Sequence, residues 1–271
     1  MSVFKRSQRK YVKKAYRVRN WREYEAGLRD RGSLTVWISL TDGKLANWDA
    51  PRSKTRKPGR GRKYSNHAIE TAVTLGLVFG LASRQAEGFL RSLLDLLNLD
   101  NEVPDHTTIS RRKAKLGKVR FYENEYKAPV HILIDSSGLA VHVGQLRRPP
   151  NRRDYRKLHL CVDEQTSNVV ACELTSKSAR DSSRVASLVA QIDSPVSSMR
   201  ADARVGKRAW HIESGYSQRS KVETTFHRYK VIVGSSMKAS GLAAQRVEAR
   251  IGCKILNTMT ALGMPDGEMI G

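Results

Sequence analysis

Residues 129–135 read PVHILID, and Ser136, Ser137 and Gly138 follow. A short apolar run closed by an acid and then by small turn-forming residues predicts a buried strand with Asp135 at the strand–turn junction. Further along, residues 157–162 (KLHLCV) alternate, residues 163–168 (DEQTSN) supply a turn, and residues 169–174 (VVACEL) form a second apolar run. This is the pattern of a hairpin. Asp181 or Ser182 can cap a helix that carries Val185, Leu188, Val189 and Ile192 on one face. Pro195 breaks the chain, and residues 196–202 (VSSMRAD) predict a fourth strand, again ending in an acid. From Tyr216 to Leu262 the pattern is mostly helical. Strand, hairpin, helix, strand and helix in that order predict an α/β layer fold with a mixed sheet, in which the ends of neighbouring strands bring carboxylates together.

Upstream the pattern changes from period two to period 3.6. Ser65 can cap a helix to about Leu81, with Ile69, Ala72, Val73, Leu77 and Val78 apolar. Ser83 can cap a second, with Ala86, Phe89, Leu90, Leu93 and Leu97 as its stripe. Residues 98–105 contain turn residues and Pro104, after which Asp105 can cap a short basic helix bearing Ser110, Arg111, Arg112 and Lys113. A helix, a turn and a short helix with Ser, Thr and Arg is what a helix-turn-helix offers to a major groove. A basic surface helix in a linking bundle reads the same way. The chain therefore divides into a basic arm and linker (1–63), a helical helix-turn-helix-like region (64–118) and an α/β core (129–271).

Charge bounds the partner. The 271 residues carry 49 Lys and Arg against 26 Asp and Glu, a net charge of +23. Residues 1–63 hold 19 of the cations and 5 of the acids, so more than half of the net charge lies in less than a quarter of the chain. Such an excess implies a polyanion, nucleic acid or an anionic surface. No apolar run reaches the roughly 18 residues of a membrane span, and no apolar signal core follows the basic N-terminus. The expectation is a protein that meets nucleic acid in the cytoplasm or nucleoid, with no membrane partner. Residues 51–63 (PRSKTRKPGRGRK) read as a flexible basic linker, and residues 21–48, with Trp21, Tyr24, Trp37 and Trp48, as a small packed unit. Cys161, Cys172 and Cys253 have neither disulfide nor zinc spacing, and Cys161 and Cys172, each in an apolar alternating stretch, read as small core residues of strands.

Three acids stand out: Asp135, Asp202 and Glu223. Each alone can be a turn former or a surface charge. Together at strand and helix ends they are hard oxygen ligands suited to Mg²⁺, and two such ions about 3.5–4 Å apart assist phosphoryl transfer. Residues 215–230 (GYSQRSKVETTFHRYK) sharpen this reading. Tyr216, Arg219, Glu223 and Lys230 are spaced at 3, 4 and 7 and share one helix face. Glu223 can bind metal while the cations hold phosphates; a surface helix with ordinary ion pairs is the plainer alternative.

With that spacing the sequence resembles the bacterial insertion-sequence transposases of the IS-five group, whose Tyr, Arg, Glu, Lys signature matches these four positions. The resemblance also rests on Arg31-Gly32-Ser33-Leu34-Thr35-Val36-Trp37, on Pro104-Asp105-His106-Thr107-Thr108-Ile109-Ser110-Arg111-Arg112, and on Ile134-Asp135-Ser136-Ser137-Gly138-Leu139. It continues through Arg156-Lys157-Leu158-His159-Leu160 and Leu256-Asn257-Thr258-Met259-Thr260-Ala261-Leu262-Gly263-Met264-Pro265. It implies a ribonuclease-H-like catalytic core and a DDE triad of Asp135, Asp202 and Glu223. It also implies two Mg²⁺ ions with Mn²⁺ as a substitute, double-stranded DNA (transposon ends and target) as partner, and a homo-oligomer on that DNA. In one respect the sequence departs from the family. Only 20 residues separate Asp202 from Glu223, as if an internal block holding a helix and a strand were missing. The expectation is an open strand edge, an imperfectly aimed Glu223 and impaired catalysis. The alternative function is therefore an inactive remnant that binds DNA alone.

Overall fold

The structure, a computed structural model, describes residues 15–41, 44–51, 61–117, 119, 129–141, 155–201 and 216–270. The first half of the chain forms β1 (Ala15–Val18), α1 (Trp21–Asp30), α2 (Leu34–Trp37), β2 (Leu40–Thr41), β3 (Lys44–Leu45), α3 (Asn66–Val78), α4 (Ser83–Leu96) and α5 (His106–Lys113). The second half forms β4 (Val130–Val141), β5 (Tyr155–Asp163) and β6 (Val169–Ser176). A 3₁₀ turn (Ser182–Arg184) then leads into α6 (Val185–Val189), followed by β7 (Val196–Ala201), α7 (Tyr216–Ile232), β8 (Ser236–Met237), α8 (Leu242–Ala261) and β9 (Gly267–Ile270).

The main sheet is mixed, in the order β6-β5-β4-β7, with β8 joining β4 beyond the end of β7. β5 is antiparallel to both β4 and β6, whereas β7 and β8 run parallel to β4. Period-two alternation along β4 sends its apolar side chains to two cores. Val130, Ile132 and Ile134 meet Cys161, Val170, Ala171 and, from α6, Leu188. Leu133 and Leu139 join the larger core, which includes Val222, Phe226 and Tyr229 of α7 and Ile251, Ile255 and Leu256 of α8.

β4 continues for six residues past Asp135, so the acid lies inside the strand and not at its end. Ser136, Ser137 and Gly138 look like turn residues in sequence, but β5 pairs with them in unbroken register, from Asp135↔Leu160 to Ala140↔Tyr155. The helical reading after Tyr216 also needs dividing: Gly234, at φ +124, lets the chain leave α7 and enter β8 before α8 begins.

The upstream helices start where local chemistry directs. Ser65 Oγ accepts from the Ala68 amide at 3.0 Å, and Asp105 Oδ1 accepts from the Thr107 and Thr108 amides at 2.9 Å each. α4 begins one residue earlier than its sequence suggests, with Ala82 at the cap position and Gln85 Oε1 accepting from the Ala82 amide at 2.9 Å. These helices share the larger core with α8: Ile69 and Leu75 of α3, Leu90 of α4 and Ile109 of α5 belong to the same cluster as Ile251 and Leu256. Two ion pairs fasten them to α8, Lys254 to Glu70 and Lys113 to Glu248, both at 2.7 Å. Glu248 is only 2% exposed and also accepts from the Lys238 and Ala239 amides, so its charge is satisfied where water is absent.

The N-terminal segment closes against the C-terminal one. β1 pairs antiparallel with β9, Arg19 bridges Asp266 at 2.8 Å, and Asn20 donates to the Met264 carbonyl. Gly27 presses on the end of α8 so closely that a Cβ there would lie 2.2 Å from the Leu262 carbonyl oxygen. Of the aromatics in this unit, Trp37 and Trp48 are buried and Trp21 is exposed. The three cysteines are buried and free, and burial pushes the Cys161 thiol up to about 12. Among the described residues no helix is long and apolar enough to cross a membrane.

Candidate active site

Alternation along β4 puts Asp135 on the same face as Leu133, Ser137 and Leu139, the face that α7 covers. Lys230 of α7 donates from Nζ to Ser137 Oγ at 2.7 Å, which ties the helix to the strand two residues past Asp135. Nine residues earlier in α7, Lys221 donates to the Glu164 carbonyl at 2.7 Å, and the Glu164 amide in turn donates to the His131 carbonyl at 2.7 Å. The helix thus runs along β4 in the same sense as the strand. Asp135 lies between the two anchor points on the strand, and Glu223 lies between them on the helix. Asp135 is half-buried and its Oδ1 accepts from the following amide, that of Ser136, at 2.8 Å. Glu223 is exposed.

Asp202, expected from the sequence as the middle acid of a triad, lies outside the described residues, one position past the end of β7. Ala201, the residue before it, pairs with Ile134, the residue before Asp135. Tyr216 and Arg219 fall in the first turn of α7, and their side chains are outside the description too. Among the described residues no three His, Cys, Asp or Glu side chains gather as a metal-holding group. Asp135 and Glu223 present carboxylate oxygens, the donor type that Mg²⁺ or Mn²⁺ takes.

Behind Asp135, on the opposite face of the sheet, the chain builds a polar cluster that sequence reading left without a role. Lys157 Nζ donates to Asp181 Oδ1 at 2.8 Å and to the Ala179 carbonyl at 3.0 Å. His159, 1% exposed and paired in register with Ser136, places Nε2 2.9 Å from Thr175 Oγ1 and Nδ1 3.6 Å from Asp181. Burial holds the His159 imidazole below its ordinary range, against the upward pull of Asp181. Hydrogen bonds from Lys157 and Ser136 hold the Asp181 carboxyl below its own range, although burial opposes them. The only sequence signal was Arg156-Lys157-Leu158-His159-Leu160, where alternation puts Lys157 and His159 on one face.

The basic helix α5 divides its side chains. Ile109 is buried in the shared core, and Ser110 and Arg111 are exposed. Arg111 Nε donates to the Thr107 carbonyl of its own helix at 3.3 Å. Arg112 is half-buried, and its guanidinium donates to the Tyr64 carbonyl and to Asn66 Oδ1, the latter at 2.7 Å, across the start of α3. Burial lowers the Arg112 pKa from its ordinary value, and nearby Arg62 adds to the effect. Of the three residues read as groove contacts, the structure turns two outward and joins the third to α3.

A family model described as Transposase DDE domain matches residues 29–144 of the chain. The match runs from the end of α1 through β4 and includes Asp135, whereas Glu223 and Lys230 lie outside it. It supports a DDE transposase family and a transposase function in general. The mixed α/β architecture is compatible with a DDE or ribonuclease-H-like domain, and such families act on DNA with divalent metal ions.

Proposed function

We propose that the protein is a DNA transposase of the insertion-sequence IS-five group that binds the terminal inverted repeats of its element and cleaves and joins DNA strands with Mg²⁺. What carries this reading is the anchoring of α7 along β4: Lys230 on Ser137 and Lys221 at the Glu164 turn put Glu223 and Asp135 in the same interval. Asp135, Asp202 and Glu223 would hold the metal, which when bound activates the attacking oxygen and stabilises the leaving one. Lys230, held at its anchor, puts an ammonium beside this interval. Tyr216 and Arg219, at helical spacing from Glu223 in the sequence, would contact phosphate oxygens. Ser110 and Arg111, exposed on α5, reach for base edges as the second helix of a helix-turn-helix would, and Arg112 fixes that helix to α3. The protein acts as a homo-oligomer on its DNA.

A second reading is favoured by the edge of the sheet. Among the described residues β7 is paired on one side only, and Met199 on it is 49% exposed. That is the open edge expected if a helix and a strand are missing between Asp202 and Glu223. On this reading the internal deletion leaves a DNA-binding remnant with impaired catalysis.

A supercoiled plasmid carrying the chain's own gene with its native flanks distinguishes the two readings. Incubated with purified protein and Mn²⁺, nicking or joining that is abolished in Asp135→Asn and in Glu223→Gln supports the enzyme. Binding to the flanks without cleavage supports the remnant. The absence of both binding and cleavage refutes the proposal.

A further inference from the structure

Two arginines far apart in sequence converge on the C-terminal end of α8. Arg31, from the stretch after α1, donates from an Nη to the Gly263 carbonyl at 2.8 Å. Arg228, from the flank of α7 away from Glu223 and Lys230, donates to Thr260 Oγ1 at 3.0 Å. The Arg31 guanidinium also lies over the ring of Tyr24, 5.8 Å from its centroid. The two cations are close enough to act on each other: after burial, Arg31 is the next cause that lowers the Arg228 pKa.

Among the described residues neither arginine has a carboxylate partner within ion-pair distance, although 26 acids are available in the chain. Helix capping explains only part of this. The end of a helix carries a partial negative charge of about half an elementary unit, against two full positive charges here. Each guanidinium has five N–H donors, yet the acceptors they meet are the Gly263 carbonyl and the Thr260 hydroxyl. Arg31 Nε is enclosed with no acceptor at all. Both residues are half-buried, which weakens solvent screening while leaving them reachable from outside. A pair of planar donor forks lacking a counter-charge suits a tetrahedral oxyanion.

We infer that Arg31 and Arg228 form a phosphate subsite at the end of α8 that takes one phosphodiester of bound DNA. This rests on the DNA-binding reading for its occupant, but not for its chemistry. It also gives a role to two motifs that the catalytic reading leaves unused, Arg31-Gly32-Ser33-Leu34-Thr35-Val36-Trp37 and Leu256-Asn257-Thr258-Met259-Thr260-Ala261-Leu262-Gly263-Met264-Pro265. The first supplies one cation, and the second supplies the helix end that orients both.

The test compares the full chain with Arg228→Gln, which removes the charge, and Arg228→Lys, which keeps it. Circular dichroism checks that each variant folds. One arm measures thermal stability in inorganic phosphate against chloride at equal ionic strength. The other measures the salt dependence of binding to a random-sequence DNA duplex. Phosphate is expected to raise the melting temperature of the parent protein, less that of Arg228→Lys, and not that of Arg228→Gln. On the duplex, Arg228→Gln is expected to weaken binding roughly tenfold at low salt and to lower the log–log salt slope by about one, whatever the sequence. Equal phosphate stabilisation in all three proteins overturns the subsite. Stabilisation lost in Arg228→Gln with an unchanged salt slope overturns DNA as its occupant. If the parent protein binds no duplex but the phosphate effect still depends on Arg228, the transposase reading fails and the anion subsite stands. Should Arg228→Gln not fold, a folded Arg228→Lys with full phosphate stabilisation and an unaltered slope overturns the forked geometry.

Discussion

Replacing Gly252 with alanine tests how rigidly α7 is held against α8. Gly252 sits in the middle of α8, facing the ring of Tyr229, which is 1% exposed on α7 and lies one position before Lys230. A Cβ built at Gly252 would fall 2.6 Å from Tyr229 Cε2, 2.7 Å from its Oη and 2.9 Å from its Cζ. Carbon pairs are comfortable at about 3.5–4.0 Å, so the ring or the helix must move by about 1 Å. In a close-packed core such an insertion costs about 1–3 kcal/mol, and the depth of this overlap puts it near the upper end. Alanine returns about 1 kcal/mol through its better helix propensity. The expected net loss is about 2 kcal/mol, read as a lower urea midpoint with an unchanged m-value. In a Tyr229→Leu background the same substitution should cost nothing or stabilise, because the methyl group fills space that the ring vacates. The coupling between the two sites should then be about 2–3 kcal/mol. If Gly252→Ala is as stable as the parent protein, or if its cost is the same with the ring removed, the ring is not what requires glycine here. Close packing of Tyr229 on Gly252 is then not what holds α7 against α8.

Three further outcomes are expected. Mn²⁺ should raise the melting temperature by mass action, and Asp135→Ala should abolish the shift; an equal shift in that variant removes Asp135 from the metal site. Arg112→Ala should cost stability and weaken duplex binding without relaxing sequence preference, whereas Arg111→Ala should cost about 1–3 kcal/mol of discrimination on the element's ends; the reverse assignment would show that Arg112 leaves α3 when DNA binds. The Asp105 carboxyl is held well below its ordinary value by hydrogen bonds from the Thr107 and Thr108 hydroxyls and amides. A depressed folded-state pKa gives stability that is fully present above the ordinary carboxylate range and lost as pH falls through the folded value. Asp105→Ala should therefore cost about 1 kcal/mol at neutral pH, with the gap from the parent protein narrowing only in strong acid; a gap already closed at pH 5 would exclude the cap as its cause.

Local chemistry was legible in the sequence, and distant pairing was not. The hairpin read from residues 157–174 is present as β5 and β6, and Asp105 caps α5 through its own side chain, because each depends on residues a few positions apart. Asp135 was legible as a strand acid next to small residues. Its mid-strand place was not, because that depends on β5 pairing beyond it through Gly138↔Lys157 and Leu139↔Arg156. Arg112 looked like its neighbour Arg111, since nothing local says that its guanidinium meets Tyr64 and Asn66, nearly fifty positions upstream. Within the site, helical spacing placed Glu223 and Lys230 seven apart on one face. Only the packed structure supplies Ser137 as the anchor for Lys230.

The contact of Gly27 with Leu262 has a consequence for the order of events during synthesis. α1 leaves the ribosome more than 230 residues before the surface it docks on. β1 waits similarly for β9, and Arg31 for Gly263. The loop to be closed spans more than 230 residues, yet its entropic cost grows only with the logarithm of length, so the delay is one of timing more than of energy. A chain cut short by a stop codon before residue 262 would keep most of the sheet strands, yet it would leave α1 with no place to land.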